Sequence, residues 1–540
     1  MKKQTAQMLL INGRFLTMEQ PGQIAQAVAI ANGRILFVGS TVDALQFVDE
    51  DTTLIDLQGK VAAPGLIDTH THPMGSYAIR YAGVSLREVR SVEAMLERIR
   101  EKAAKTPKGE WIVARGFDES KLGGAEVNAA LLDTAAPEHP VYAVRTCGHV
   151  AVLNTLAMQI SGFDDDSVAA PGGTFFRDAQ GHLTGMISGS VKSRVPYPNP
   201  TDEQRKEGMI QGMQAECFRW GITATADMGA TAKTFGLLQQ LDQEGDLKLR
   251  VGVYISGGRK AAPDSVPQIF SKSGLLPGFG SEHVFFRGIK FVMDGSTGGK
   301  TAAFSLPYQG QPNNFGELYN DLDVLKENMY LCAKAGLQIS IHAIGDRAIE
   351  DALQALEYVA SKGIDLRSTR VRIEHLESPT ADHIRRIKEL GILVSLSSAF
   401  IYHLGDSHIE GLGQERVVEA FPAKTLMDEG ITVACNTDCP VCDLNPMLGI
   451  YSMVNRITEA GESFGGKKEA VDRIRALEAY TKNAAWILGL EKVAGTLTAG
   501  KYADIMVFRE DFLSVPDQQL KDLQVAMTIS SGEIVYENMD

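Results

Sequence analysis

Cysteine is scarce: the chain has six in 540 residues. So few cannot form a disulfide framework, and a reducing cytoplasm is the expected location. Cys439-Pro-Val-Cys442 is a single C-x-x-C with no second pair to complete a zinc ribbon, so both read as packing residues. Long apolar runs are missing too. The run from Met8 to Ile11 stops at Gly13, too short for a signal segment, and no later segment approaches eighteen unbroken apolar residues. Excess positive charge is also lacking: 53 Lys and Arg face 67 Asp and Glu, a net charge of −14. That balance argues against nucleic acid or an anionic membrane as partner and leaves a small molecule as the expected one. There is no internal repeat and no low-complexity stretch. Oligomeric state is left open, a homo-oligomer included.

What the sequence has is an ordinary globular composition, 44% hydrophobic and 22% charged, at a length that suggests about three domain-sized units. One stretch organises it, Val61-Ala-Ala-Pro-Gly-Leu-Ile-Asp-Thr-His-Thr-His72, followed by Pro73. At a strand period of two, His70 and His72 point the same way and can reach one point, and neutral imidazoles are common metal ligands. An isolated His-x-His is most often a surface pair. This one closes an apolar run just before a strand-stopping proline, the setting of a site at the mouth of a sheet or barrel.

Both chain ends read as short strands. Asn12-Gly13 and Asn32-Gly33 are hairpin signals near the start, and 495–508 and 526–537 are strand-like near the end. Neither end has enough strands for its own core, so residues 1–63 and 485–540 are expected to form one composite β-sandwich. Between them, strands alternate with helices such as 321–335, 348–362 and 380–389, the pattern of a parallel α/β fold. The expected strands are 61–68, 222–227, 249–256, 286–293, 338–342, 371–375, 393–397 and 432–436. Eight strands with crossovers fit a (β/α)8 TIM barrel over 64–484. Residues 74–220 are far too long for one crossover and carry strands of their own at Trp111 and Val141, so an inserted α/β lid is expected there.

The carboxyl ends of these strands carry a second layer of residues. Strand four has Lys290 in Gly288-Ile-Lys-Phe-Val-Met-Asp294, strand five ends in His342, and strand six ends in His375 of Arg372-Ile-Glu-His. Asp438 follows strand eight in Asn436-Thr-Asp-Cys-Pro. Barrel enzymes draw their catalytic residues from these ends. Singly, a strand-end histidine is more often a satisfied core residue and an aspartate more often a helix cap. Lys290 has no such bland reading, because a lysine is almost never fully buried unpaired.

The set His70, His72, Lys290, His342, His375 and Asp438 resembles the amidohydrolase superfamily of metal-dependent hydrolases. The opening Pro64-Gly-Leu-Ile-Asp-Thr-His-Thr-His72 is its most specific mark. The insertion, Lys290-Phe-Val-Met-Asp-Gly-Ser-Thr-Gly-Gly, Gly148-His149 and His342-Ala-Ile-Gly-Asp346 are similar to the YtcJ-like branch, which includes N-substituted formamide deformylases. The resemblance implies two divalent metal ions, zinc foremost with manganese or iron as alternatives. His70, His72 and Asp438 would hold one, His342 and His375 the other, and Lys290 would bridge them as a carbamate. Asp438 would move the catalytic proton. The resemblance also implies substrate contacts at His149 and Arg416 and a supporting role for Asp294 behind the metals. Two positions depart from the branch: Gly189 stands where an acidic residue is common, and Thr437 precedes Asp438 where serine is usual.

The expected activity is hydrolysis of a small-molecule C–N bond, of amide or formamide type, by a metal-activated water. Ring deamination or ester and lactone hydrolysis would use the same site. A catalytically dead binding or regulatory protein is the remaining alternative, and against it none of the six ligand positions is lost.

Overall fold

The computed structural model describes residues 5–20, 22–77, 83–146, 148, 150–169, 172–198, 200–258 and 265–539. Eight parallel strands form one sheet: β1 (Leu66–Thr71), β2 (Ile222–Ala230), β3 (Arg250–Ser256), β4 (Val284–Val292), β5 (Gln338–Ala343), β6 (Arg372–His375), β7 (Leu393–Leu396) and β8 (Val433–Cys435). Each pairs with its neighbours in chain order. The outer strands meet through a parallel bridge from Thr71 to Cys439 and a 3.0 Å bond from Thr69 Oγ1 to the Cys435 carbonyl. The sheet is thus a nearly closed barrel, the expected α/β fold. Its strands are buried almost throughout, as parallel strands covered on both faces must be.

The crossover helices follow from their sequences. In Asp346–Ser361 the buried residues Ala348, Ile349, Ala352, Leu353, Leu356 and Val359 recur every three or four positions, which is one helical face. Ala381–Leu390 opens with a Thr380–His383 capping box and stops at Gly391, whose φ of 69° suits a residue without Cβ.

The stretch expected as one strand over 61–68 is two. Val61–Pro64 pairs with Arg14–Phe15 and with Ile505–Val507 in a six-stranded sheet, and only from Leu66 does the chain join the barrel. Gly65 makes the change of sheet, since a Cβ there would lie 2.3 Å from Thr223 Oγ1. Hydrophobicity is continuous across the switch, so periodicity does not reveal it. The six-stranded sheet takes strands from both ends of the chain, and a four-stranded sheet comes from residues near the start. Leu10, Val28 and Ile30 of the smaller sheet pack with Phe15, Ala62, Ile505 and Ile529 of the larger in one core.

Residues Pro73–Gly212 form a compact unit of their own. It contains a six-stranded sheet, Val84–Ser85 through Leu183–Gly189, and a helix at Val92–Ala103, with a core around Ile99, Ile112, Phe117 and Val141. No helix among the described residues is long and apolar enough to cross a membrane.

At the amino ends of the barrel strands the helix Lys482–Leu488 packs Ala484, Ala485 and Ile487 against Ile67, Ala224 and Ala434. Beside it Gln338 saturates a polar network. Its Oε1 accepts from Tyr254 Oη (3.0 Å) and from Arg287 Nη2 (2.9 Å), while its Nε2 donates to the carbonyls of Arg370 and Ile487.

Candidate metal centre

The carboxyl ends of β1, β4, β5 and β6 and the turn after β8 bring six side chains together. The His70 and His72 rings lie 5.3 Å apart, His70 and His375 4.9 Å, and His342 and His375 4.5 Å. Lys290 Nζ approaches His70 Nε2 at 3.4 Å. Asp438 Oδ1 is 3.1 Å from His72 Nε2 and 3.5 Å from His70 Nε2. Those separations permit an ion pair, yet the buried Oδ1 has no aligned hydrogen-bond donor. One atom each from His70, His72 and Asp438 can thus face a common point.

Three imidazoles have one nitrogen already engaged. Glu374 Oε2 accepts from His70 Nδ1 at 2.8 Å. His375 Nδ1 lies 2.7 Å from Ser397 Oγ, whose own proton goes to Asn436 Oδ1, so the serine accepts and the histidine donates. His342 Nε2 donates to the Gly295 carbonyl at 2.9 Å. Each ring therefore keeps its second nitrogen as a lone pair, the tautomer a metal ligand needs. Burial holds His70 and His375 well below the usual histidine range, Lys290 adding to it for His70 and His342 for His375, so neither ring is cationic.

Lys290 is buried, and desolvation lowers its ammonium to about 8 although Glu374 and Asp438 oppose the shift. Glu374 is fully buried as well. Burial alone would raise its carboxyl, but Arg372 and then Lys290 outweigh that and keep it below the ordinary range. Arg372 Nη2 donates to Glu374 Oε2 at 2.8 Å and to the Thr69 carbonyl, and Ser340 Oγ donates to Glu374 Oε1. The backbone is also held in unusual conformations, with φ of 69° at His375, 43° at Leu376 and 52° at Asp438. A side chain in the left-handed region costs about 1–3 kcal/mol and persists where surrounding contacts enforce it.

Of the further expected residues, Asp294 lies beside this centre. The Asp294 carboxylate accepts from the backbone N–H groups of Ala303, Ile344 and Gly345, and its Oδ1 lies 3.3 Å from His342 Nε2. Arg416 donates to the Pro307 carbonyl at 3.0 Å and lies over the Phe304 ring; these contacts are away from the six ligands. His149 lies outside the described residues. Cys439 and Cys442 are buried.

Sequence reasoning passed over three carboxylates. Glu374 orients His70. Asp68 accepts from Thr437 Oγ1 (2.6 Å), the Thr437 N–H and the His70 N–H, tying the His-x-His strand to the turn of Asp438. Asp227 on β2 is buried with an unpartnered Oδ2. Burial raises Asp68 and Asp227 to about 7 each. All three stand in apolar strands, so the argument that singled out Lys290 applies to them equally.

The donor set suits a metal. Nitrogen and oxygen ligands at about 2.0–2.2 Å around a tetrahedral ion stand about 3.3 Å apart. His70, His72 and Asp438 bracket that spacing, and one ligand atom from each lies within 4.8 Å of the others.

Comparison with known proteins agrees with this geometry. The model of a family described as "Amidohydrolase family" matches residues 53–536. Protein LONG AFTER FAR-RED 3 of Arabidopsis thaliana is 31% identical over 98% of this chain and 92% of its own length. N-substituted formamide deformylase of Arthrobacter pascens is 24% identical over 99% of each. Among solved structures, an uncharacterized metal-dependent hydrolase from Pyrococcus horikoshii superposes with a TM-score of 0.76 at 26% identity, covering 94% of this chain and 99% of that one. With a family model spanning most of its length and a metal-type donor set at its strand ends, this chain belongs to the amidohydrolase family.

Proposed function

We propose that this hydrolase cleaves the C–N bond of a small amide or formamide at a two-metal centre. The observation that carries the reading is the set of three neighbouring imidazoles, each with one nitrogen tied to an acceptor and the other left as a lone pair, that of His70 facing Lys290 and Asp438. His70, His72 and Asp438 would hold one ion, and His342 and His375 the second. Bound there, divalent ions supply Lewis-acid polarisation of a carbonyl and lower the pKa of water.

The remaining work falls to the chain. Lys290, as a free ammonium, would oppose cations in a buried site. Its neutral amine can add carbon dioxide at Nζ with loss of one proton, turning a buried cation into an anionic oxygen ligand. Glu374, neutralised by Arg372, fixes the ring of His70. Asp438 Oδ1, buried without an aligned donor, can take a proton from the attacking water and return it to the leaving nitrogen. Asp294 steadies the turn that carries the His342 acceptor Gly295. In this reading the insertion expected as a lid, residues 74–220, selects the substrate, and Arg416 and His149 are candidates to contact it. Zinc is the proposed ion.

The test is metal analysis of protein prepared without chelators, with a turnover screen of formamides, N-acyl amines, lactones and aminoheterocycles. Two ions per chain and preferential turnover of the amides are expected. Full turnover without bound metal would overturn the site. Turnover confined to lactones or aminoheterocycles would overturn the C–N acyl assignment and leave the centre standing.

A further inference from the structure

Two residues beyond His375 lies a buried carboxylate that the chemistry above leaves unused. Glu377 is 1% exposed. Its Oε2 accepts from Thr297 Oγ1 at 2.6 Å and from His408 Nε2 at 3.1 Å. The other nitrogen of His408, Nδ1, lies 2.6 Å from the Leu404 carbonyl. The Leu404 carbonyl has no proton to give, and although burial opposes it the Glu377 carboxylate raises the proton affinity of His408. A neutral imidazole donates only once, so His408 is held as the imidazolium and neutralises Glu377 inside the protein. Phe421 and Phe464 surround the histidine ring and keep water away.

Each partner comes from a different part of the barrel's carboxyl end. Thr297 belongs to the loop that follows β4 and Lys290. His408 lies on the helix Ala399–Leu412, whose Phe400 stacks on the His375 ring at 5.7 Å and 16°. The Glu377 carbonyl accepts the Phe421 N–H at 2.7 Å, and the next residue, Ser378, donates to the Ile344 carbonyl beyond β5. Between Glu377 and His375, the last residue of β6, stands only Leu376, and His375 and Leu376 are both in the left-handed region. That conformation is unfavourable for leucine and needs an anchor on its far side.

We infer that Glu377, clamped by Thr297 and the His408 imidazolium, is a positioning residue that holds His375 in its left-handed conformation with Nε2 on the metal centre. Ser397 fixes the ring's rotation and Phe400 its face, while the Glu377 clamp fixes the backbone from which the ring projects. A buried ion pair of this kind is weak evidence for stability by itself, since apolar residues often replace one without loss. Its location two residues from a ligand and its reach across three loops favour geometry over stability as its purpose. The inference rests on the reading that His375 holds the second ion.

The experiment compares Glu377→Gln, Thr297→Val, Thr297→Ser and His375→Ala as full-length proteins. Each is stripped with chelator and titrated with cobalt(II), whose visible spectrum reports ligand geometry. Melting of the metal-free protein is followed in parallel. Glu377→Gln is expected to weaken uptake of one ion by about 10–100-fold, the usual effect of losing support behind a ligand, and to alter the cobalt spectrum. The other ion should bind as in the parent. Thr297→Val should move the same way, and Thr297→Ser, which keeps the hydroxyl, should restore the parent spectrum. If Glu377→Gln does not fold, the threonine pair decides alone. Parental cobalt affinity and spectrum with only a lower melting temperature would make the clamp structural and overturn the inference. If His375→Ala keeps both ions, the two-ion reading falls and takes this inference with it. If it loses one while Glu377→Gln and Thr297→Val lose none, only the positioning role is refuted.

Discussion

The Gln338 cluster and the metal centre both bury charge, but they treat it differently. At the amino end, Gln338 uses both atoms of its amide, and Arg287 and Tyr254 find their acceptor there. At the carboxyl end, Asp438 Oδ1 and Asp227 Oδ2 are buried without partners, and residues 375, 376 and 438 are backbone outliers. A satisfied network of buried polar groups adds rigidity, whereas an unsatisfied one costs about 1–3 kcal/mol per group. Arg250 Nε and Arg372 Nε at the amino ends of β3 and β6 also lack an aligned hydrogen-bond partner, so the contrast is between the Gln338 cluster, which holds the fold, and the metal centre, which is kept ready for ligands.

Substitutions in these two places should therefore fail in opposite ways. The largest effect is expected from Asp438→Asn, which should lower turnover by about 10²–10⁴ while the metal-free melting temperature stays near the parent's. A collapse of stability instead would place Asp438 among the structural groups. Next comes Gln338→Leu, which strands Arg287 and Tyr254 and should cost about 3 kcal/mol in urea unfolding. Its turnover per folded molecule should be parental; a selective loss of turnover would erase the distinction between the two.

The third comparison is with pH. Asp227 has a folded-state value of about 7, above its ordinary 3.8, because burial disfavours the anion. The folded state thus binds this proton more tightly than the unfolded one. Its contribution to stability is complete below about 3.8 and is lost as pH rises through 7. The metal-free protein should melt lower at pH 8 than at pH 6, and Asp227→Asn, which cannot ionise, should flatten that fall. Asp68 is shifted the same way and will leave part of the slope. An unchanged slope in the asparagine variant would show that Asp227 is compensated in the folded protein. The smallest effect is expected at Thr380, which caps the crossover helix after β6. Thr380→Ala removes a helix cap and should cost about 1 kcal/mol with parental turnover.

Much of this was legible in the sequence, for identifiable reasons. His70 and His72 announce themselves because a strand period of two is local, and Lys290 because a cation inside an apolar strand is costly wherever the strand lies. The division of 61–68 between two sheets was not legible, because the run from Val61 to Ile67 is apolar across the switch and only tertiary contact at Gly65 separates the two strands. The roles of Glu374 and Asp68 depend on partners more than 300 residues away, Glu374 on His70 and Asp68 on Thr437. Arg416 shows the converse, since a position matching a family arginine gave no hint that its hydrogen bond would go to Pro307.

The sheet shared by the two chain ends has a consequence for how the molecule is made. Val61–Pro64 leads through one glycine into the strand of His70 and His72, yet it pairs with Ile505–Val507. During synthesis the first of these segments leaves the ribosome long before the second exists. The histidine strand must wait with one flank open while nearly the whole barrel is translated, and pairing over so great a sequence distance is slow to form. Final assembly of the metal centre is thereby tied to a segment made more than 400 residues later, so a nascent chain that has not reached it would present histidines without the frame that aligns them.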